Sequence, residues 1–384
     1  MTHAMTLAQL CKPSLNWLLA FIPIAAYCEY GTSNHTAIFI TSCLAIIPIA
    51  GWMGEATEHL AEKTGEGIGG LLNATFGNAA ELVIALVALS KGPAMYDVVK
   101  ASITGSIIGN ILLVLGAACL AGGVKFNVLK FSGPAVRSYS SMLFLAAAAL
   151  VLPAVFHFVG GAGIELRERD LSLEISVVLM ITYILSLWFS LKTHKELFCG
   201  PAAESAAVSD DDHGKGSHTP WSTGKSIGVL VGATLLIATV AEWMVGSVEI
   251  AAHSLGMSNI FVGIVVVAIV GNAAEHSTAI IVARKNRMDL AMGVAIGSSI
   301  QIALFVAPVL VFASYAFNPG HPLDLVFSPM EVIAIVLAVL VVEQVTADGE
   351  THWLEGVQLL SVYLILALVF YLLPDQASAP HVTH

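Results

Sequence analysis

The sequence predicts an all-α integral membrane protein of eleven transmembrane helices, one extra N-terminal helix followed by two inverted five-helix repeats. Three observations predict it. Of the 384 residues, 57% are hydrophobic and only 11% charged, against about 25% charged in a soluble domain; the mean hydropathy is +0.84. Eleven apolar runs reach the roughly 20 residues that a spanning helix needs. And one short motif, Gly-Asn-Ala-Ala-Glu, occurs twice, each time inside such a run.

The runs fall near 14–30, 36–62, 66–90, 97–122, 135–159, 171–192, 224–254, 259–283, 288–316, 327–347 and 353–373. They are continuously apolar rather than alternating, so they read as helices and not as barrel strands. The second is the least uniform, with Glu55, Glu58, His59 and Glu62 in its distal half. Of the 16 Lys and Arg residues, only Lys91, Lys100, Arg167 and Arg169 fall on one side of an eleven-span chain. The Lys- and Arg-rich side is the cytoplasmic one, which places the N-terminus inside and the C-terminus outside. The start, Met1 to Leu10, has no basic region of the kind that opens a cleavable signal peptide.

The expected organisation is a tail and extra helix (1–35), a first repeat (36–192), a cytoplasmic linker (193–223), a second repeat (224–375) and a C-terminal tail (376–384). The linker carries Asp210, Asp211, Asp212, His213 and His218 among Gly, Ser and Pro. It reads as a flexible solvated connection, with a loose divalent-cation patch as the alternative. Cys11, Cys28, Cys43, Cys119 and Cys199 form no Cys-x-x-Cys pair and read as small buried residues.

The repeat is visible residue by residue. With Gly77 aligned on Gly271, Glu55 and His59 fall on Glu249 and His253 without a gap. Downstream, after two residues of slippage, Asp97 and Gly105-Ser106 fall on Asp289 and Gly297-Ser298. The two motif glutamates lie on the third and eighth segments, an odd number of crossings apart, so the repeats enter the membrane with opposite orientation. Inverted repeats around a midplane site are an architecture of alternating access.

A carboxylate deep in an apolar run is costly in lipid and marks a functional site by default. Glu81 and Glu275 are two such groups at matching depth. A structural carboxylate bonded to a neighbouring helix is the competing reading; duplication in opposed halves argues against it. Each glutamate shares a helix face with the Asn three residues before it, Asn78 or Asn272. The Gly before that Asn weakens the helix and frees carbonyls that are tolerated only where they line a cavity. The next segment of each repeat adds Ser106 and Asn110, or Ser298 and Gln301. Polar side chains of this kind also glue membrane helices together.

This donor set is all oxygen, with no thiolate cluster, and suits a hard cation such as Ca2+. Once the cation leaves, two bare carboxylates close together in low dielectric are unfavourable, and the pair takes up protons instead. The site then holds either a cation or protons. His276, beside Glu275, has no counterpart in the first repeat, where Leu82 stands; tuning of protonation and plain hydrogen bonding both remain open for it. Glu55 and Glu249 read as proton-access residues or as polar helix ends.

These residues resemble a known family. Gly271 to Ile280 is similar to the second signature of the CAX cation/proton exchangers of the calcium/cation antiporter superfamily, and Gly77 to Leu86 to the first. Leu71 to Phe76, Lys285 to Phe305 and Asp348 to Gly356 extend the resemblance over most of 50–375. It implies Ca2+/H+ exchange driven by a proton gradient, eleven helices, and Glu81 and Glu275 as cation ligands. Supporting or gating roles are implied for Asn78, Asn272, Ser106, Ser298 and Gln301. The linker and N-terminal tail are short beside those of eukaryotic relatives, which points to a bacterial inner membrane, with a vacuolar membrane as the alternative.

The expected partners are Ca2+, H+ and the lipid bilayer. Nothing resembles a basic nucleic-acid stripe; no cofactor is called for, and association of copies of the chain is left open. The rival functions are Na+/H+, K+/H+ or Mn2+/H+ exchange on the same scaffold. A cation channel is a weaker rival, because two opposed halves do not make a ring of identical carboxylates. An enzyme is weaker still, since no nucleophile–base pair stands beside the buried glutamates.

Overall fold

The computed structural model describes residues 15–64, 66–161, 163–194, 196 and 221–373. A 3-10 segment, Leu15–Ala20, leads into α1 (Phe21–Gly31). The first half continues with α2 (His35–Thr64), α3 (Glu66–Phe76), α4 (Ala79–Ser90), α5 (Pro93–Gly123), α6 (Gly133–Gly160) and α7 (Glu165–Thr193). The second half comprises α8 (Thr223–Ser254), α9 (Asn259–Gly271), α10 (Ala273–Ala283), α11 (Met288–Phe317), α12 (Pro329–Thr346) and α13 (Trp353–Leu372).

Among the described residues, α2, α5, α6, α7, α8, α11, α12 and α13 are each long and apolar enough to cross a membrane. The pair α9–α10 makes a ninth span, bent by 62°. Two expected segments are organised differently from a single long helix. Segment 14–30 is split between the 3-10 turn and α1, and segment 66–90 is α3 and α4 with Gly77 and Asn78 between them. Both motif copies therefore interrupt their helix at the same place. The physical reason lies in the motif itself: Gly is a poor helix former, and the following Asn takes the N-cap position of the new helix, Asn78 for α4 and Asn272 for α10.

The starts of α6 and α12 are marked by Ser with Pro close behind, the expected N-terminal signature. Ser132 caps α6 through the amide of Ala135 at 3.4 Å. Ser328 and Glu331 form a reciprocal capping box at the head of α12. Helices α5, α7, α9 and α11 each contain a π-helical stretch, Gly109–Val114, Phe189–Thr193, Val262–Val267 and Ile302–Val306; such stretches are frequent at functional sites.

Helices α2 and α8, repeat counterparts, lie along each other, and the core between the halves is lined by small and β-branched residues that let membrane helices approach closely. One element corrects the all-helical expectation. β1 (Leu129–Lys130) pairs antiparallel with β2 (Glu350–Thr351), and an ion pair of 2.9 Å joins Lys130 to Glu350. This brace ties the loop before α6 to the loop before α13. Cys28, Cys43 and Cys119 are buried free thiols, as expected. The acidic stretch Asp210 to His218, Cys11, Cys199 and the residues after Leu373 lie outside the described residues.

Candidate cation site

The site is assembled at the two helix breaks. Glu81 lies in the first turn of α4 and Glu275 in the first turn of α10, so each carboxylate sits at the positive end of its helix. Each is also held by the Ser of the next long helix of its own half. Ser106 of α5 donates to Glu81 Oε1, and Ser298 of α11 donates to Glu275 Oε2 at 2.5 Å.

The asparagines reach across to the other half. Asn272 Nδ2 donates to Glu81 Oε1 and lies 3.2 Å from Ser106 Oγ. Asn78 Nδ2 donates to Gln301 Oε1 at 2.7 Å. The glycines cross as well. A Cβ on Gly271 would stand 2.8 Å from Glu81 Cγ, and one on Gly77 would stand 3.4 Å from Glu275 Oε1. The break in each half thus packs against the glutamate of the other; at Gly271 only the missing side chain leaves room for Glu81, while a Cβ on Gly77 would first meet the carbonyl oxygen of Asn73 at 2.8 Å.

A cavity of about 360 Å³ leads to this crossing. Glu275, Ser298, Gln301, Gly77 and Gly271 form its inner end; Glu58, Ser132, Arg287 and Asp289 stand near its mouth. Glu81 is not part of its lining, so Glu275 is the motif glutamate met first from this side. Behind it, Glu81 Oε2 and Asn78 Oδ1 are buried oxygens without a hydrogen-bond partner. The mouth is held in shape by the β1–β2 brace, which sets Ser132 so that its amide donates to Asp289 Oδ1 at 2.6 Å.

The structure gathers Glu81, Glu275, Asn78, Asn272, Ser106, Ser298 and Gln301. It leaves two sequence candidates elsewhere. Glu55 and Glu249 are exposed and do not line the cavity. Asn110, one turn beyond Ser106 in the π-stretch of α5, is buried and its Nδ2 has no partner. His276 keeps a buried, unpartnered Nε2 beside Glu275. Two cavity residues carry no role that their sequence context assigns: Glu58, one of several charges at a polar helix end, and Asn73, four residues before Gly77. Among the described residues, no group of three or more His, Cys, Asp or Glu could hold a metal ion. The two carboxylates complete their donor set with amide and hydroxyl oxygens, as suits a hard cation that is held and released.

Comparison with known proteins gives this geometry a family. The family described as Sodium/calcium exchanger protein matches residues 34–192 and 225–372. The chain belongs to this family. It is 43% identical to a Ca(2+)/H(+) antiporter of Synechocystis over 363 residues, which is 93% of this chain and 96% of that one. It is 42% identical to the Ca(2+)/H(+) antiporter ChaA of Bacillus subtilis, over 88% of this chain and 92% of that one. A vacuolar calcium ion transporter of Schizosaccharomyces pombe is 38% identical over 97% of this chain and 88% of that one. Among solved structures, native YfkE superposes with a TM-score of 0.79 at 37% identity, covering 94% of this chain and 100% of that one. An H+/Ca2+ exchanger, CAX, shares the fold with a TM-score of 0.66 at 16% identity. As a member of this family with apolar spanning helices, the chain is a multi-pass membrane protein.

Proposed function

We propose that this chain exchanges Ca2+ for H+ across a membrane by alternating access, with Glu81 and Glu275 binding either the cation or protons. The observation that carries the reading is the reciprocal crossing: each half supplies a glutamate, and each glutamate is packed against the helix break of the other half. A ligand held between them touches both halves, so rocking one half against the other changes the side from which it is reached. The names of the relatives, Ca(2+)/H(+) antiporters of similar length, support the choice of ions.

Eleven spans, an extra first helix and two inverted five-helix repeats complete the proposed architecture. The two matched stretches, 34–192 and 225–372, support the halves. With the Lys- and Arg-rich loops on the cytoplasmic side, the cavity mouth at Glu58 and Arg287 faces the cytoplasm. The structure then represents an inward-facing state. Asn272, Ser106 and Ser298 orient the carboxylates, while Asn78 and Gln301 supply neutral oxygens. Cation departure leaves Glu81 and Glu275 uncompensated in a low dielectric, and protons replace it.

The test is cation uptake into inverted membrane vesicles under an imposed proton gradient. Ca2+, Mn2+, Na+ and K+ are offered in turn to wild type, Glu81→Gln and Glu275→Gln. Ca2+ uptake that depends on the gradient and is lost in both variants is expected. Wild-type Ca2+ uptake in both variants removes the shared site; uptake indifferent to collapse of the gradient removes proton coupling; exclusive uptake of Na+ or K+ removes the divalent assignment.

A further inference from the structure

A second, nearly collapsed cavity of about 10 Å³ lies among α4, α5, α8 and α9, a space at the lower limit for a single water. Its place is related to that of the large cavity by the internal repeat. The alignment that puts Gly77 on Gly271 carries Ala50, Gly54 and Asn73, which line the large cavity, onto Met244, Val248 and Val267, which line the small one. It likewise carries Ile84 of the small cavity onto Thr278 of the large. The alignment that puts Gly105 on Gly297 carries Val98 and Ser102 onto Leu290 and Val294.

The small cavity also continues the site. Ile84, Ala85 and Ala88 follow Glu81 at three, four and seven residues, one face of α4. Ser102 and Val99 precede Ser106 at four and seven residues, one face of α5. The seam therefore runs away from Glu81 and Ser106, just as the large cavity runs away from Glu275 and Ser298.

An independent observation concerns helix crossings. A Cβ on Gly105 would stand 2.1 Å from the carbonyl oxygen of Ile264, and one on Gly263 would stand 2.6 Å from Ala101 Cβ. Helices α5 and α9 are zipped backbone to backbone. At Gly297, the repeat counterpart of Gly105, a Cβ would meet nothing within 4 Å. One crossing is shut and its counterpart is open.

We infer that the seam lined by Ile84, Val98, Ser102, Met244, Val248 and Val267 is the closed outer path to the cation site, and that Gly105 and Gly297 are the crossings that shut alternately. In the opposite state the seam opens onto Glu81, α5 parts from α9 at Gly105, and α11 closes at Gly297. The path is more apolar than the inner one: Val267 stands for Asn73 and Ile84 for Thr278, and Ser102, which stands for Val294, is its one polar side chain. A hydrated cation finds few footholds before Glu81 itself. The inference rests on the exchange reading above for the identity of what passes, but not for the two paths.

The test places single cysteines at the counterpart positions Ser102 and Val294 in a background without the native cysteines. A charged, membrane-impermeant thiol reagent is applied to vesicles of either sidedness. Gly297→Ala fits the present state and prevents inner closure, so Val294→Cys stays reactive from the cytoplasmic side while Ser102→Cys loses outside reactivity by about tenfold or more. Gly105→Ala prevents outer closure and reverses the pattern. Both glycine variants moving the two cysteines in the same direction overturns the proposal, as does Ser102→Cys reacting from the cytoplasmic side as fast as Val294→Cys.

Should Gly105→Ala fail to fold, Ser102→Cys/Val248→Cys is bridged with a short reducible bis-thiol linker. Transport is expected to stop and to return on reduction; full transport after complete bridging overturns the proposal. Ca2+-dependent proton release in the same vesicles separates the two readings. Reciprocal labelling without it removes the Ca2+/H+ assignment and leaves the paths; intact exchange with non-reciprocal labelling removes the paths alone.

Discussion

Asn272 donates its side-chain amide to the carboxylate of Glu81, a residue of the other half of the chain. Asn78 makes the corresponding crossing to a neutral partner, Gln301, at 2.7 Å. The two asparagines are sequence equivalents, yet one meets a carboxylate and the other an amide. Hydrogen bonds to charged groups contribute about 1.5–3 kcal/mol and neutral ones about 0.5–1.5 kcal/mol. Asn272→Leu is therefore expected to weaken apparent cation affinity by roughly 10- to 150-fold, and Asn78→Leu by no more than about 10-fold. Initial uptake rates against cation concentration give both numbers, and equal losses contradict the ranking.

Gly271→Ala puts a methyl group where Glu81 Cγ would be 2.8 Å away. Overpacking of this kind costs typically about 1–3 kcal/mol, and here the atom displaced belongs to the proposed ligand. Exchange is expected to fall by about tenfold or more, while the detergent-purified protein keeps a single symmetric elution peak. Unchanged apparent affinity in this variant would mean that Glu81 does not occupy the position seen here.

Competition between cation and proton has a pH signature. Ligands must be deprotonated to bind, so apparent Ca2+ affinity falls as pH falls. Where binding displaces two protons the decrease is about a hundredfold per pH unit, and where it displaces one, about tenfold. The slope of Ca2+ affinity against pH, measured by direct Ca2+ binding to the detergent-purified protein, counts the protons. In Glu275→Gln the slope is expected to flatten by one proton, and an undiminished slope assigns the proton to another group.

Lys100 of α5 pairs with Asp324 at 2.5 Å and also donates to the carbonyl of Val326 at 2.9 Å. The side chains are 12% and 30% exposed, so the pair is partly shielded from water. Removing one partner of a buried pair costs about 3–5 kcal/mol, largely through the charge left behind; with this exposure about 1–3 kcal/mol is expected. Lys100→Met should lower the thermal unfolding midpoint in detergent, and Lys100→Met/Asp324→Leu should recover part of it. A double variant no more stable than the single one rules out the pair as the cause.

Glu58 stands near the mouth of the large cavity, well before the first site carboxylate. A charge in that place concentrates cations at the entrance, and salt screens the effect over about 10 Å at 0.1 M. Glu58→Gln is expected to slow uptake at low ionic strength by about two- to threefold and to match wild type at high salt. A salt-independent defect would point to direct ligation instead.

Much of the site is legible in the chain. Glu81, Glu275, the two asparagines, the two serines and Gln301 stand out by their spacing, because helix packing in lipid does not call for the same costly carboxylate motif twice. Asn110 is not separable from Gln301 by sequence. Asn110 follows Ser106 by four residues and Gln301 follows Ser298 by three, and both spacings share the serine's helix face. Glu58 and Asn73 escape notice for a different reason. Neither lies deep in an apolar run, so nothing local sets them apart from ordinary polar helix ends.

What the sequence determined by itself follows from short-range chemistry. Membrane residence comes from the apolar runs, the helix breaks from Gly followed by Asn, and the duplication from counting positions. What only the tertiary structure decided concerns the two halves together: that Asn272 crosses to Glu81, that Gly271 makes room for the opposite glutamate, and that one counterpart cavity is open while the other is shut. The reason is physical. The repeats are alike along the chain, and the difference between an open and a closed crossing lies in how far apart packed helices stand. At Gly105 and Gly297 the same residue type meets a backbone carbonyl in one half and empty space in the other.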